Sequence, residues 1–218
     1  NQGATCYMNA TLQQLFLVPA FRDGLLTASP PPEQRTPILS ELQRTFAHLR
    51  DGLQPVYDSK ALVAACTALP MTFEPFQQND AAEFLMLLTS HLEDALKGTK
   101  HAQLLRSCFG GKLVQQVIWE EGGGGGGSSG GAGGGAGGGG GGGGGVRKVS
   151  ERLEDFVTIQ LEVMGKPSIA AGLQELVDGE RLEGENAYQL DSGEKVDAQK
   201  RICLGELPQT LIIQLKRF

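Results

Sequence analysis

A tract of glycine divides this chain and sets the first limit on its fold. The 24 positions from Gly122 to Gly145 contain only glycine apart from Ser128, Ser129, Ala132 and Ala136. Glycine loses more backbone entropy on ordering than any other residue and has no side chain to bury. We therefore expect a disordered loop insertion rather than part of a core. It separates an N-terminal region, residues 1–121, from a C-terminal region, residues 146–218.

The N-terminal region has the apolar spacing that is typical of helices. Four helices are predicted, with approximate limits Cys6 to Pro19, Pro37 to Leu49, Ser59 to Leu69 and Asp80 to Leu96. The predicted inward-facing residues of the last one are Phe84, Leu85, Leu88, Leu92 and Leu96. From Phe109 onward the period changes, and Leu113, Val117 and Trp119 indicate a strand that leads into the glycine tract.

The C-terminal region is mostly strand-like. Strands are predicted over residues 157–163, 195–204 and 210–215, with a short helix after Pro167. A helical lobe followed by an antiparallel sheet is an α+β fold.

Charge and hydropathy exclude two classes of partner. The chain has 19 basic and 25 acidic side chains, a net charge of −6. Nucleic-acid binding needs a clustered excess of Lys and Arg, so none is expected. No apolar run approaches the roughly 20 residues that span a bilayer, so no membrane association is expected either.

The four cysteines and the chain ends suggest a compartment and a context. Cys6, Cys66, Cys108 and Cys203 form no CxxC pair, and scattered cysteines of this kind indicate reduced thiols in the cytoplasm, the nucleus or both. The chain opens at Asn1 without a Met and stops at Phe218 inside a strand-like run. We therefore expect it to be part of a larger chain.

The stretch around Cys6 is the most informative for chemistry. Gly3 and Ala4 permit a tight turn, after which Cys6 begins a helix. Free backbone N–H groups and the helix dipole at that end favour a thiolate, which is the nucleophile of acyl transfer. Asn1 could turn its side-chain amide toward the same carbonyl and stabilise an oxyanion. The alternative is that Cys6 is a small buried apolar residue, and spacing alone favours that alternative.

Three separated motifs favour the interpretation of Cys6 as a nucleophile. They are Asn1 to Gln14 with its Asn-Gln-Gly-Ala-Thr-Cys-Tyr-Met-Asn start, Gln78-Asn79-Asp80-Ala81-Ala82-Glu83-Phe84-Leu85, and Leu207-Pro208 followed by residues 211–218. The first resembles the Cys box of the ubiquitin-specific protease family of cysteine deubiquitinases, and the second its Gln-x-Asp-Ala-x-Glu-Phe-Leu box. The third is similar to the strand that precedes the second half of the family's palm. The three occur in the family's order along the whole chain.

The resemblance implies roles for four residues. Cys6 would attack the carbonyl of ubiquitin's C-terminal glycine, and Asn1 would contribute to the oxyanion hole. Gln78 and Asp80 would lie beside the channel for ubiquitin's arginine-rich tail, where a carboxylate can pair with guanidinium. Asp80 could equally be the N-cap of the following helix, and both interpretations can hold together. Glu83 is interpreted as part of a solvated helix face.

The family's general-base His and its orienting Asp or Asn lie downstream of the Leu-Lys-Arg-Phe strand, where this chain stops. The three histidines present, His48, His91 and His101, have no family context, and none is assigned to catalysis. We therefore expect residues 1–218 alone to show little or no turnover.

The resemblance also implies an architecture and a set of cofactors. The expected fold is the papain-like hand, with a helical thumb over residues 1–108, β fingers over 109–205 and the first palm strand over 206–218. Many family members carry a zinc ribbon in the fingers, but the four ligand positions here hold Trp119, Gly122, Leu190 and Gly193. No zinc and no other cofactor is predicted, and the partners expected are ubiquitin and ubiquitinated proteins.

Three hypotheses about function remain at this point. The first is an active deubiquitinase that hydrolyses isopeptide bonds. The second is an inactive pseudo-enzyme or scaffold that binds ubiquitin without cleaving it. The third is a cysteine hydrolase that acts on a ubiquitin-like modifier.

Overall fold

A computed structural model describes residues 3–54, 56–72, 78–121 and 146–217 of the chain. They form two compact units. The first contains Asn1–Gly110, Val157–Ile159 and Pro208–Gln214, and the second contains Gly111–Phe156, Gln160–Leu207 and Leu215–Phe218. The predicted limits of thumb, fingers and palm stay a prediction. The glycine tract lies outside the described residues.

The first unit is built from helices. They are α1 (Cys6–Phe16), α2 (Pro19–Thr27), a 3₁₀ turn (Pro32–Gln34), α3 (Pro37–Asp51), α4 (Lys60–Cys66), α5 (Ala81–Leu96) and α6 (Leu104–Phe109). The helices predicted to start at Cys6, Pro37, Ser59 and Asp80 are thus confirmed to within a residue at their starts.

Two helices were not predicted. The first helix ends at Phe16, before Pro19 as expected, but Pro19 then begins α2, and at this first position its missing N–H costs no hydrogen bond. The second unpredicted helix is α6. It has only six residues, too few to display an apolar period, although four of them are buried.

Aromatic packing closes the core of the first unit. Phe21, Phe46, Phe84 and Phe109 are fully buried, and the ring of Phe21 lies 6.3 Å from that of Phe46 and 5.4 Å from that of Phe109. Each such side chain contributes on the order of 2–3 kcal/mol by leaving water. On α5, Phe84, Leu88, Leu92 and Leu96 are buried as predicted, and Leu85 is partly buried against the same core.

The second unit is organised around a four-stranded sheet in the order β2-β1-β7-β4. Its strands are β1 (Gly111–Glu121), β2 (Val146–Phe156), β4 (Glu180–Leu182) and β7 (Ala198–Glu206), and all neighbours are antiparallel. The pairing of β1 with β2 runs from Gly111 opposite Phe156 to Glu121 opposite Val146. The glycine tract therefore connects the adjacent ends of two paired strands.

The strand β2 was not predicted from the sequence. It is an edge strand that is exposed at every residue except Phe156. Because neither face is buried, its sequence has no apolar alternation to reveal it. Charged side chains such as Lys148, which pairs with Glu121 at 3.0 Å, are typical of edge strands that avoid further pairing.

The remaining elements are short. They are β3 (Thr158–Glu162), α7 (Ile169–Asp178), a 3₁₀ turn (Gly184–Asn186), β5 (Tyr188–Gln189), β6 (Lys195–Val196) and β8 (Ile212–Lys216). The strands β3 and β8 form one two-stranded sheet, and β5 and β6 form another. The strand predicted over residues 195–204 is divided at Asp197 into β6 and β7.

Mixed helix and antiparallel sheet confirm the predicted α+β class. Within the described ranges, no helix is both long and apolar enough to cross a bilayer.

Candidate active site

Cys6 is the first residue of α1, and its side chain is exposed. The preceding turn contains Gly3 at φ 84°, a conformation that favours glycine, and the buried Thr5, whose carbonyl accepts the Asn9 N–H at 3.0 Å. No side chain caps this end of α1 at Thr5. The predicted place of Cys6 at the start of a helix is therefore confirmed, and the alternative of a buried side chain is wrong. Its role as the nucleophile stays a prediction.

The other three cysteines lie in different surroundings. Cys66 and Cys108 are buried, whereas Cys203 is half-buried with its Sγ 3.5 Å from Oε1 of Gln116. Burial raises the pKa of the Cys66 thiol to about 12 and raises that of Cys108 as well. All four are free thiols, and Cys6 is the exposed one.

The residue after Cys6 joins α1 to the second sequence motif. Tyr7 is buried, and its ring meets that of Phe84 edge to face, with centroids 5.6 Å apart and planes at 84°. Its hydroxyl accepts a hydrogen bond from Nδ2 of Asn79 at 3.2 Å. The same Nδ2 donates to the Thr72 carbonyl at 2.9 Å. Two motifs about 70 residues apart in sequence are thus brought together in one unit.

Asp80 is the N-cap of α5. Its carboxylate accepts the backbone N–H of Ala82 at 2.6 Å, which satisfies one of the free donors at the helix start. The capping interpretation of Asp80 is confirmed. Its side chain and that of Gln78 are exposed, and their predicted contact with a substrate stays a prediction. Glu83 is also exposed, as its solvated interpretation required.

Comparison with known proteins decides the family. The family model for ubiquitin carboxyl-terminal hydrolases matches residues 1–218. The chain belongs to the ubiquitin carboxyl-terminal hydrolase family. The resemblance to ubiquitin-specific proteases, and with it the papain-like class of the α+β fold, is confirmed.

Curated relatives carry the same family name. The chain is 31% identical over 223 residues to ubiquitin carboxyl-terminal hydrolase puf of Drosophila melanogaster. It is 31% identical to ubiquitin carboxyl-terminal hydrolase 15 of Schizosaccharomyces pombe and 30% identical to ubiquitin carboxyl-terminal hydrolase 26 of Arabidopsis thaliana. Each alignment covers 100% of this chain but only 5%, 17% and 18% of the respective relative.

Each of the three histidines of the chain contacts a side chain on another part of the first unit. His91 Nε2 is 2.9 Å from the Thr36 hydroxyl, which also caps α3 by accepting the Leu39 N–H. His101 Nε2 is 3.2 Å from the Thr27 hydroxyl. His48 stacks on Tyr57 with ring centroids 4.7 Å apart. His91 also lies seven residues beyond Phe84 on α5, about 10 Å further along the helix axis.

One predicted site residue lies outside the part of the chain that the structure describes. Asn1, the predicted oxyanion residue, lies outside the described residues, as do residues 73–77 just before Gln78. Neither Asn79 nor Tyr7 was predicted from the sequence to be a functional residue. Both lie inside recognised motifs, but the pairing of their side chains depends on how α1 packs beside α5.

The positions that align with the family's zinc ligands hold side chains that do not bind zinc. Trp119 packs against Tyr188, with ring centroids 5.5 Å apart at 41°. Among the residues that the structure describes, no three His, Cys, Asp or Glu side chains come together to bind a metal. Gly122 lies outside those residues.

Proposed function

We propose that this chain contains the nucleophile of a deubiquitinase that hydrolyses isopeptide bonds at the C-terminal glycine of ubiquitin. The observation that carries the proposal is Cys6, an exposed thiol at the amino end of an 11-residue helix in a member of this hydrolase family. The names of the relatives support the same reaction class.

The chemistry proceeds by acyl transfer. The Cys6 thiolate attacks the glycine carbonyl, the carbon–nitrogen bond breaks, and the substrate amine leaves with a proton from the general base in its acid form. Water then adds to the thioester, which releases a carboxylate and regenerates the thiol. Asn1 would donate to the oxyanion, and Gln78 and Asp80 would bind the tail of ubiquitin.

The general base is proposed to come from outside residues 1–218. The proposal is supported by the contacts of the three histidines, which are with Thr36, Thr27 and Tyr57. The chain also spans less than a fifth of the first curated relatives. Residues 1–218 alone should accordingly turn over substrate slowly or not at all.

A second candidate is a protein that binds ubiquitin without cleaving it. The same histidine contacts favour it, because a thiol without a base is a poor catalyst. Ubiquitin would then bind with the same Gln78 and Asp80 contacts, and replacement of Cys6 would leave the affinity unchanged.

Turnover of a ubiquitin-amide reporter separates the two. The full-length protein, its Cys6→Ser variant and its Cys203→Ser variant should be compared, with residues 1–218 as a fourth sample. The proposal expects hydrolysis that is lost in Cys6→Ser and kept in Cys203→Ser. No hydrolysis by the full-length protein, together with measurable ubiquitin binding, supports the second candidate. A ubiquitin-like reporter cleaved faster than ubiquitin would indicate a different modifier as the substrate.

The four free thiols favour a reducing compartment. We propose the cytoplasm or the nucleus as the location of this part of the protein.

A further inference from the structure

The side-chain amide of Asn79 joins three stretches of the first unit. Its Nδ2 donates to the Tyr7 hydroxyl at 3.2 Å and to the Thr72 carbonyl at 2.9 Å. An amide NH₂ group has two hydrogens, so these two bonds use its full donor capacity. Asn79 itself lies between Gln78 and Asp80, directly before α5.

Tyr7, which accepts one of these hydrogen bonds, has a fixed position in the core of the first unit. Tyr7 is only 8% exposed, and the edge-to-face contact with Phe84 fixes its ring. A buried hydroxyl needs a hydrogen-bond partner, since an unpaired one is costly. Tyr7 follows Cys6 directly in the first turn of α1, so the placement of its ring also fixes the backbone that carries the Cys6 thiol.

We propose that Asn79 and Tyr7 are positioning residues for the reaction of Cys6, an inference that rests on the proposed function. Their hydrogen bond holds the first turn of α1 at a fixed position relative to the segment of Gln78 and Asp80. A substrate tail bound by that segment then reaches the thiol at a fixed distance.

The alternative is a contact that only stabilises the fold. Two features favour positioning. Asn79 is only half-buried, and its two neighbours in sequence are exposed rather than packed in the core. The bond also connects Tyr7, which follows the predicted nucleophile Cys6, with Asn79. Asn79 lies between the two predicted substrate contacts, Gln78 and Asp80. A displacement of about 1 Å between reacting groups can lower a rate by about a hundredfold.

The test is a double-mutant cycle in the full-length protein with Tyr7→Phe and Asn79→Ala. Each single change should lower kcat/KM for a ubiquitin-amide reporter by about tenfold, and the double variant should be no worse than the more severe single variant. Matched controls are Tyr57→Phe, which removes a hydroxyl elsewhere in the first unit, and Asn186→Ala, which removes an exposed amide in the second. Both controls should stay within about twofold of the wild type.

A second readout separates positioning from the intrinsic reactivity of the thiol. Iodoacetamide is too small to need the segment of Gln78 and Asp80, so its rate at Cys6, measured by peptide mass spectrometry, should change less than twofold in Tyr7→Phe. A parallel fall of the iodoacetamide rate and kcat/KM would overturn the proposal, because Tyr7 would then affect the thiol itself. Multiplicative effects of the two changes, or singles with wild-type kcat/KM, would also overturn it.

The test remains informative if one of the variants fails to fold. Tyr7→Phe keeps the ring against Phe84, so it carries the test alone if Asn79→Ala fails to fold. A wild-type protein with no hydrolysis at all would overturn the proposed function and this inference together. An active wild type with unaffected variants would overturn only the inference.

Discussion

The carboxylate of Asp80 accepts the backbone N–H of Ala82 at 2.6 Å, and this bond begins the 16-residue helix α5. The same side chain is exposed beside Asn79, which is bound to Tyr7. In the proposed function, this one residue serves both the helix and the arginine-rich tail of ubiquitin. The two roles make different demands, because capping needs only an acceptor whereas pairing with arginine needs the charge.

Replacement of Asp80 separates these roles. Asp80→Ala should lower the free energy of unfolding by about 1 kcal/mol through loss of the cap. Asp80→Ser restores an acceptor, so it should recover most of that stability while KM for a ubiquitin reporter stays at least tenfold raised. Urea unfolding followed by far-UV circular dichroism and steady-state kinetics measure the two effects.

The matched control for Asp80 is Glu83→Gln, which neutralises another exposed carboxylate in the first turn of α5. It should leave KM within about twofold of the wild type. If Asp80→Ser has a wild-type KM, Asp80 is a helix cap only.

Alkylation should rank the four thiols by their surroundings. At pH 8 a thiol with a pKa of about 12, as burial gives Cys66, is ionised in only about one molecule in 10⁴. Iodoacetamide should therefore modify exposed Cys6 first and half-buried Cys203 next. Cys66 and Cys108 should react only after urea unfolds the chain. Native-state labelling of Cys66 as fast as that of Cys6, seen by peptide mass spectrometry, would show that α4 is not packed as described.

Stability should depend on pH through His91. Burial lowers the pKa of His91, against a smaller opposing effect of Asp94, so the folded state favours the neutral ring. The unfolded chain then binds more protons between the lowered pKa and the ordinary value near 6.5. The stabilisation is present above about pH 6.5 and is lost as pH falls through the folded pKa.

His91→Gln tests this contribution. The free energy of unfolding, measured with urea at pH 8 and at pH 5, should fall less toward acid in His91→Gln than in the wild type. Parallel falls in the two proteins would assign the acid sensitivity to other groups.

The fold was predictable where one face of an element is buried. The stripe on α5 and the alternation in β3 place Phe84, Leu92, Ile159 and Leu161 in the interior, and all four are buried. Edge strand β2 and short α6 could not be found this way, because the first has no buried face and the second has too few residues. Likewise Cys6 and Asp80 were visible in motifs, but the bond from Asn79 to Tyr7 arises only when α1 packs beside α5.

Replacement of Gly179, at the end of α7, should lower the stability of the protein for a steric reason. Gly179 has φ 73°, and a Cβ there would collide with the backbone of Lys200 and with Arg201. Gly165 has nearly the same φ, 70°, but open space around it. Gly165→Ala should cost about 1 kcal/mol from backbone strain, whereas Gly179→Ala should cost about 3 kcal/mol because overpacking adds to it.

Unfolding of the second unit reports this difference. Trp119 is the single tryptophan of the chain, so its fluorescence follows that unit during urea unfolding. Equal costs for the two alanine variants would mean that the α7 end can shift away from β7.

The proposed function depends above all on Cys6 being the thiol that reacts with the C-terminus of ubiquitin. The most direct measurement is to treat the full-length protein with ubiquitin that carries an electrophile at its C-terminus, and to map the adduct by mass spectrometry. We expect one adduct, on Cys6, that is absent in Cys6→Ser and unchanged in Cys203→Ser. No adduct, or an adduct that survives in Cys6→Ser, would contradict it.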